Sequence, residues 1–275
     1  MKKIIPFLFI LLSTVACRSD IRPDSLSEKI QPSRLEEAKG RTLLSESARV
    51  HGAERFRQIK TYDMQINDHW VGLLGSIGNP WPESSVDGTL SFRANSSDGR
   101  MTFSNPDFKG LVWGIQSMKP YTVQPKAAPE FEENADIHFI LPALQYLTEF
   151  IFRNHDEHIV SYAGPEEING KLYERVFVTW NSLEPSDELD QYMAYIDPKT
   201  FRLEKLRYTI REFAGFAEGT IHYEDLHEID GILFSFKQSI TSGHTDAPDD
   251  FIHRVLVGHV AVDQTPEDAF YVDRK

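Results

Sequence analysis

A single cysteine, Cys17, is all the thiol chemistry available to this 275-residue chain. One cysteine can neither close an intramolecular disulfide nor build a cysteine zinc centre, so the fold has to be held by its core alone. Basic charge is scarce as well: 29 Lys and Arg stand against 42 Asp and Glu, a formal net charge of −13. A chain this acidic repels phosphate backbones, which argues against nucleic acid as a partner. Membrane-spanning runs are missing. The stretch from Ile4 to Leu12 is nine residues, well short of the roughly 20 that a transmembrane helix needs. Catalytic signatures are missing too: there is no nucleophile elbow, no phosphate-cradling glycine loop and no HExxH zinc helix. No carboxylate pair stands out, so the sequence assigns no general acid or base and no cofactor, and it reads as non-enzymatic.

What is present begins at the N-terminus. Lys2 and Lys3, the short apolar run and the small residues before Cys17 have the three-part layout of a secretory signal. Thr14-Val15-Ala16-Cys17 resembles the lipobox of bacterial lipoproteins, with Thr14 in place of the usual Leu. The resemblance implies cleavage before Cys17, lipidation of that cysteine, and a location in the cell envelope. Asp20 and Asp24 hint at the outer membrane, on its periplasmic face or at the cell surface. Residues 1–16 are thus expected to be a signal peptide. Their removal, which takes two lysines, leaves 259 residues with a formal charge of −15. Residues 17–33 are polar, contain two prolines and read as a flexible tether. Residues 34–275 read as one domain.

Within that domain, Leu35, Ala38, Leu43, Leu44 and Ala48 recur at helical spacing, which predicts a helix over 34–50 with Ser33 as N-cap and Gly52 as a terminating glycine. The pattern then turns to strands. Tyr62, Met64, Ile66 and Trp70 share one parity, as do Leu90, Phe92 and Ala94, and again Ile232, Phe234, Phe236 and Ile240. Turn signals at NSSDG (95–99), ING (168–170), DPKT (197–200) and IDG (229–231) divide them at hairpin spacing, which favours an antiparallel sheet. In the strand from Phe201 to Arg211 the apolar parity switches between Leu203 and Leu206, and a bulge at Glu204 or Lys205 accounts for it. One helix interrupts the strands. With Pro142 in its first turn, it runs through ALQYLTEFIF to about residue 155 and is apolar on nearly every side, as a buried helix is.

The order of parts resembles the bacterial lipoprotein-carrier and lipoprotein-sorting superfamily (LolA/LolB-like). The resemblance rests on ARVHGAERFRQIKTYDMQI, on YMAYIDPKTFRLEKLRYTI, on HYEDLHEIDGILFSFKQSI and on the closing PEDAFYVD. It covers about half the mature chain. The long segments SIGNPWPESSVDG and VQPKAAPEFEENAD depart from the short carriers and are closer to Bacteroidota-type lipoproteins of the same shape. It implies an α+β fold: a strongly curved antiparallel sheet of about a dozen strands forming an incomplete barrel, with an N-terminal helix and a mid-chain apolar helix against the concave face. It further implies a cavity that holds an acyl chain, lipid or other apolar small molecule.

The expected lining of that cavity is Leu144, Leu147, Phe150 and Ile151 on the apolar helix, with Trp81 and Trp113 on loops at the barrel mouth. The competing reading is that such aromatics fill the core. The alternatives in function are a metal-assisted hydrolase using His138, His155 and His158, and a structural lipoprotein whose cavity is self-filled. For the metal, two histidines at i,i+3 on a helix end can share a face, but a charged run at a helix C-terminus also favours histidine on electrostatic grounds.

Overall fold

The computed structural model describes residues 18–272 except Phe213 and His244; Cys17 and the signal segment lie outside the described residues. Ser33 caps the helix α2 (Arg34–Val50) with a full capping box, its hydroxyl accepting from the Glu36 amide while the Glu36 carboxylate accepts from the Ser33 amide. A short helix α1 (Asp24–Ser27) precedes it and another, α3 (Ala53–Phe56), follows. Gly52 ends α2 with φ of +87°, and a Cβ there would meet the Gly231 carbonyl at 2.0 Å. Only glycine fits this junction.

Two antiparallel meanders follow. The first is β1 (Thr61–Trp70), β2 (Ser85–Arg93), β3 (Gly99–Phe103), β4 (Val112–Gln116), β5 (Lys119–Val123) and β6 (Glu130–Phe131), with the short helix α4 (Gly72–Gly78) between β1 and β2. After helix α5 (Ala135–Glu149) and the 3₁₀ turn Phe150–Phe152 comes the second. It comprises β7 (Ile159–Ile168), β8 (Lys171–Thr179), β9 (Tyr192–Ile196), β10 (Leu203–Thr209), β11 (Glu218–Ile229), β12 (Ile232–Ser242) and β13 (His253–Val262). β1 pairs with β13, so the two meanders form one 13-stranded sheet with β6 and β7 at its edges. The sheet does not close, and the chain passes between its two edges through α5. Among the described residues no helix is long and apolar enough to cross a membrane.

Strand parity and turns agree with the sequence. Tyr62, Met64, Ile66 and Trp70 are buried on one face of β1, and Asn169-Gly170 and Asp230-Gly231 take the positive φ values of hairpin turns. The register of β10 shifts between Leu203 and Lys205, at the position of the expected bulge.

Two expectations are corrected. Helix α5 starts at Ala135, so Pro142 stands in its middle rather than in its first turn. Asn134 sets the start, its side chain accepting from the Ile137 amide at 3.0 Å. A mid-helix proline is tolerated here because the helix is packed along its length, from Ile137 to Leu147. The second correction concerns residues 18–33, which do not behave as a free tether. Ile21 and Leu26 are buried in a hydrophobic cluster with Phe177, Met193 and Tyr195. Their neighbours Val176, Val178, Ala194 and Ile196 face the main core. β9 and the C-terminal half of β8 are therefore dry on both faces, and the N-terminal strap supplies the outer cover. The continuous apolar run YMAYI in β9 is the sequence sign of such a strand.

Leu26 has no exposed surface, so Leu26→Ala is expected to cost about 2–5 kcal/mol in urea unfolding and to open the 18–33 segment to protease. In a free tether the same change would stay within about 0.5 kcal/mol.

Candidate ligand cavity

Helix α5 packs against β3, β4 and β5, and its Leu147 carbonyl accepts from the Tyr223 hydroxyl of β11, with Ile137, Ile140, Leu141, Leu144 and Leu147 buried. Between it and the sheet is a cavity of about 370 Å³. Phe139, Ile140, Ala143, Leu144 and Leu147 form its helical wall, and Trp70, Tyr208, Ile210 and Ile240 are among the residues facing them from the sheet. Glu212 and Glu218 bring charge to the boundary, and His138 adds a polar ring.

Two carboxylates in and around the cavity are held by protein groups, while the Trp70 indole N–H and the Tyr146 hydroxyl in its lining have no hydrogen-bond partner among the described residues. The Glu149 carboxylate, without exposed surface, accepts from the Tyr62 hydroxyl at 3.0 Å and the Gln145 amide at 2.8 Å, and its other oxygen lies 3.1 Å from Arg153 Nη2. Burial raises its pKa, and the Arg153 charge works against that rise. The Arg153 guanidinium also sits over the Tyr146 ring at 4.7 Å. Asp190 accepts from Thr209 Oγ1 and the Arg211 amide; its burial likewise raises the pKa.

A second buried carboxylate, Asp68, shares the parity of the dry face of β1. One oxygen accepts from Trp81 Nε1 at 2.7 Å and the other lies 2.6 Å from His253 Nε2. The His253 ring stacks on Trp70 at 3.8 Å, and both border the cavity. Sequence reasoning missed Asp68 and His253; the alternation Tyr62, Met64, Ile66, Asp68, Trp70 was the available signal.

The structure separates the residues expected to line one site. Leu144 and Leu147 do line the cavity. Trp81 does not: its proline-flanked loop folds inward, its indole N–H is taken by Asp68, and its ring lies 5.6 Å from that of half-buried Trp113. Phe150 is fully buried beside Tyr192 and His155. Ile151 instead borders a separate space of about 30 Å³, shared with Leu147, His51 and Phe152, roughly the room of one water molecule.

The three histidines do not converge. His155 is buried with Nδ1 at 2.7 Å from His158 Nδ1 and Nε2 at 2.8 Å from the Phe150 carbonyl. His138 lies instead 3.5 Å from Glu212. Among the described residues no group of three or more metal-capable side chains is assembled.

No protein-family model matches the chain, and no curated protein does. Solved structures do. A lipoprotein-sorting protein domain of the outer membrane from Vibrio parahaemolyticus superposes with a TM-score of 0.53 at 11% identity, over 85% of this chain and 97% of that one. A LolA superfamily protein from Nitrosomonas europaea gives 0.52 at 12% identity, over 84% and 96%. A DUF1329 family protein from Desulfovibrio piger gives 0.50 at 10% identity, again over 84% and 96%. At these identities the likeness establishes the fold: a LolA-like open barrel.

Burial lowers the His155 pKa to about 4, from an ordinary value near 6.5. The folded state therefore favours the neutral ring. Its stabilisation is complete above pH 6.5 and is lost as pH falls towards 4. His155→Gln should flatten this loss by on the order of 2–3 kcal/mol, read from urea midpoints at pH 7.5 and 4.5.

Proposed function

We propose that this chain is a lipid-anchored protein of the cell envelope, at the outer membrane, that binds or carries an apolar ligand in its half-barrel cavity. One observation carries the reading: an open cavity of about 370 Å³ walled by Leu144 and Leu147 opposite Trp70 and Ile240. That volume falls near the lower end of the range of roughly 300–1,000 Å³ typical of small-molecule sites. The guest is accordingly one acyl chain or a compact apolar molecule. The lipobox-like TVAC at 14–17 supports the anchor, and the fold shared with a lipoprotein-sorting domain and a LolA superfamily protein supports a carrier role.

Mass spectrometry of organic extracts of the purified protein is expected to find a bound lipid, and an empty extract would favour the self-filled alternative. Leu147→Glu places a carboxylate on the cavity wall. With the space available to a guest, the variant is expected to stay folded while binding of an apolar fluorescent probe falls at least about tenfold, the loss that follows from about 1.4 kcal/mol. In a close-packed core the same charge would be trapped without a partner and the fold lost. Leu147→Ala, which only adds room, should keep the probe.

Cys17→Ala is expected to shift the protein from the membrane pellet to the soluble fraction after a salt wash.

A further inference from the structure

Antiparallel pairing places the β1–β2, β10–β11 and β12–β13 connections at one end of the sheet. Three independent features meet there. The first is helix α4, which is built inside out. Its glycine, Gly75, is the buried residue, seated so closely that a Cβ would meet the Ile252 carbonyl at 2.7 Å. Leu73, Leu74 and Ile77 point outward, 77%, 54% and 62% exposed. An ordinary surface helix has the reverse arrangement. Phe216, in the β10–β11 connection at the same end, is 71% exposed.

The second feature is the cavity, whose lining at this end includes Trp70, Ile210, Glu212, Glu218 and Ile252 from these same strand ends and connections, while Ser97 and Met118 line it towards the other end. The third is the path of the N-terminus. The Ser19 amide donates to the Gly215 carbonyl at 3.0 Å, the Ser19 hydroxyl donates to the Phe216 carbonyl at 2.7 Å, and Arg18 forms a two-pronged pair with Asp187. Cys17 is two residues before Ser19, within about 7 Å along the chain. The described chain thus passes Phe216 at Ser19, two residues after the cysteine in sequence.

We infer that this end of the barrel is a membrane-docking face: Leu73, Leu74, Ile77 and Phe216 enter the interfacial layer of the bilayer and hold this end of the cavity against the lipid. The inference rests on Cys17 as the point of lipid attachment and deepens the carrier reading by giving the guest a path that avoids water. A cluster of exposed leucines, an isoleucine and a phenylalanine is suited to shallow insertion. Glu212 and Asp187 are exposed at the same end, so the surface fits zwitterionic headgroups rather than anionic ones.

The lone cysteine makes the test clean. When Cys17 carries lipid, a cysteine introduced by Leu74→Cys, Phe216→Cys or Leu172→Cys is the only free thiol. Leu172 is exposed at the opposite end of the sheet, beside the β7–β8 turn, and serves as the control. Each full-length variant is labelled with a polarity-sensitive fluorophore and reconstituted in phosphatidylcholine vesicles containing a nitroxide-bearing lipid. Labels at 74 and 216 should shift to shorter wavelength and be quenched several-fold more than the label at 172. Equal quenching at all three positions, or none at 74 while the protein sediments with the vesicles, overturns the docking face. So does a wavelength shift at 74 that depends on protein concentration and not on lipid, because it marks contact with a second copy. If Cys17 itself takes up label, the anchor reading has failed, and the Cys17→Ser chain then decides docking alone. In that case it must float with added phosphatidylcholine vesicles and lose flotation on Leu73→Asn with Leu74→Asn. Absence of flotation refutes the proposal.

Discussion

Between Tyr62 and Trp70 the first strand runs beside the last, pairing with His253 to Val262, and this seam is what makes one structure of two meanders. Without it, β1–β6 and β7–β13 would each be a separate sheet with one apolar face uncovered. With it, the raw edges fall at β6 and β7, neighbours in sequence across α5. The chain between those edges contains α5, and a cavity arises where its side chains do not fill the space between it and the sheet. A contact joining residues nearly 200 apart is also non-local, so its loop entropy must be met before the pairing rewards it.

The cavity's polar surroundings depend on the same arrangement. Tyr62 on β1 and Gln145 on α5 converge on Glu149, with Arg153 completing the set. These contacts fix the C-terminal half of α5 to the seam strand. The Glu149 oxygen facing Tyr62 and Gln145 is satisfied by the protein, whereas the Trp70 indole N–H and the Tyr146 hydroxyl at the cavity have no hydrogen-bond partner among the described residues. The Asp68–His253–Trp70 group fixes the other end of β1 in a comparable way, and it also holds Trp81 inside.

Much of this was legible in the chain. Helix α2 with its Ser33 cap, the strand parities, the glycine turns and the β10 bulge follow from local rules that burial did not override. The failures were of another kind. Pro142 marks a helix start only if no better cap lies upstream, and Asn134 was one. The polar composition of residues 18–33 hid two apolar contacts, Ile21 and Leu26, whose value lies in the second dry face of β8 and β9 rather than in their own segment. Trp81 was placed at a mouth because prolines flank it, yet a buried carboxylate several residues away in β1 determined its position. Only for Ile21 and Leu26 was the deciding partner distant in sequence. Leu144 and Leu147 reach the cavity wall, whereas Phe150 and Ile151 turn from it where the helix tightens into a 3₁₀ turn.

Pro142 has no amide proton, so the backbone bond that a helix would make to the carbonyl of His138 is absent. The helix is thus a lever with a weak point at mid-length. Its far arm is riveted through Gln145 and Glu149, and its near arm, Ala135 to Leu141, carries Phe139 and Ile140 on the cavity wall. Bending there sacrifices fewer backbone bonds than bending elsewhere along α5. On the carrier reading, the near arm is the part of the wall that would yield first to guests of different girth, while the seam and the rivet hold their registration.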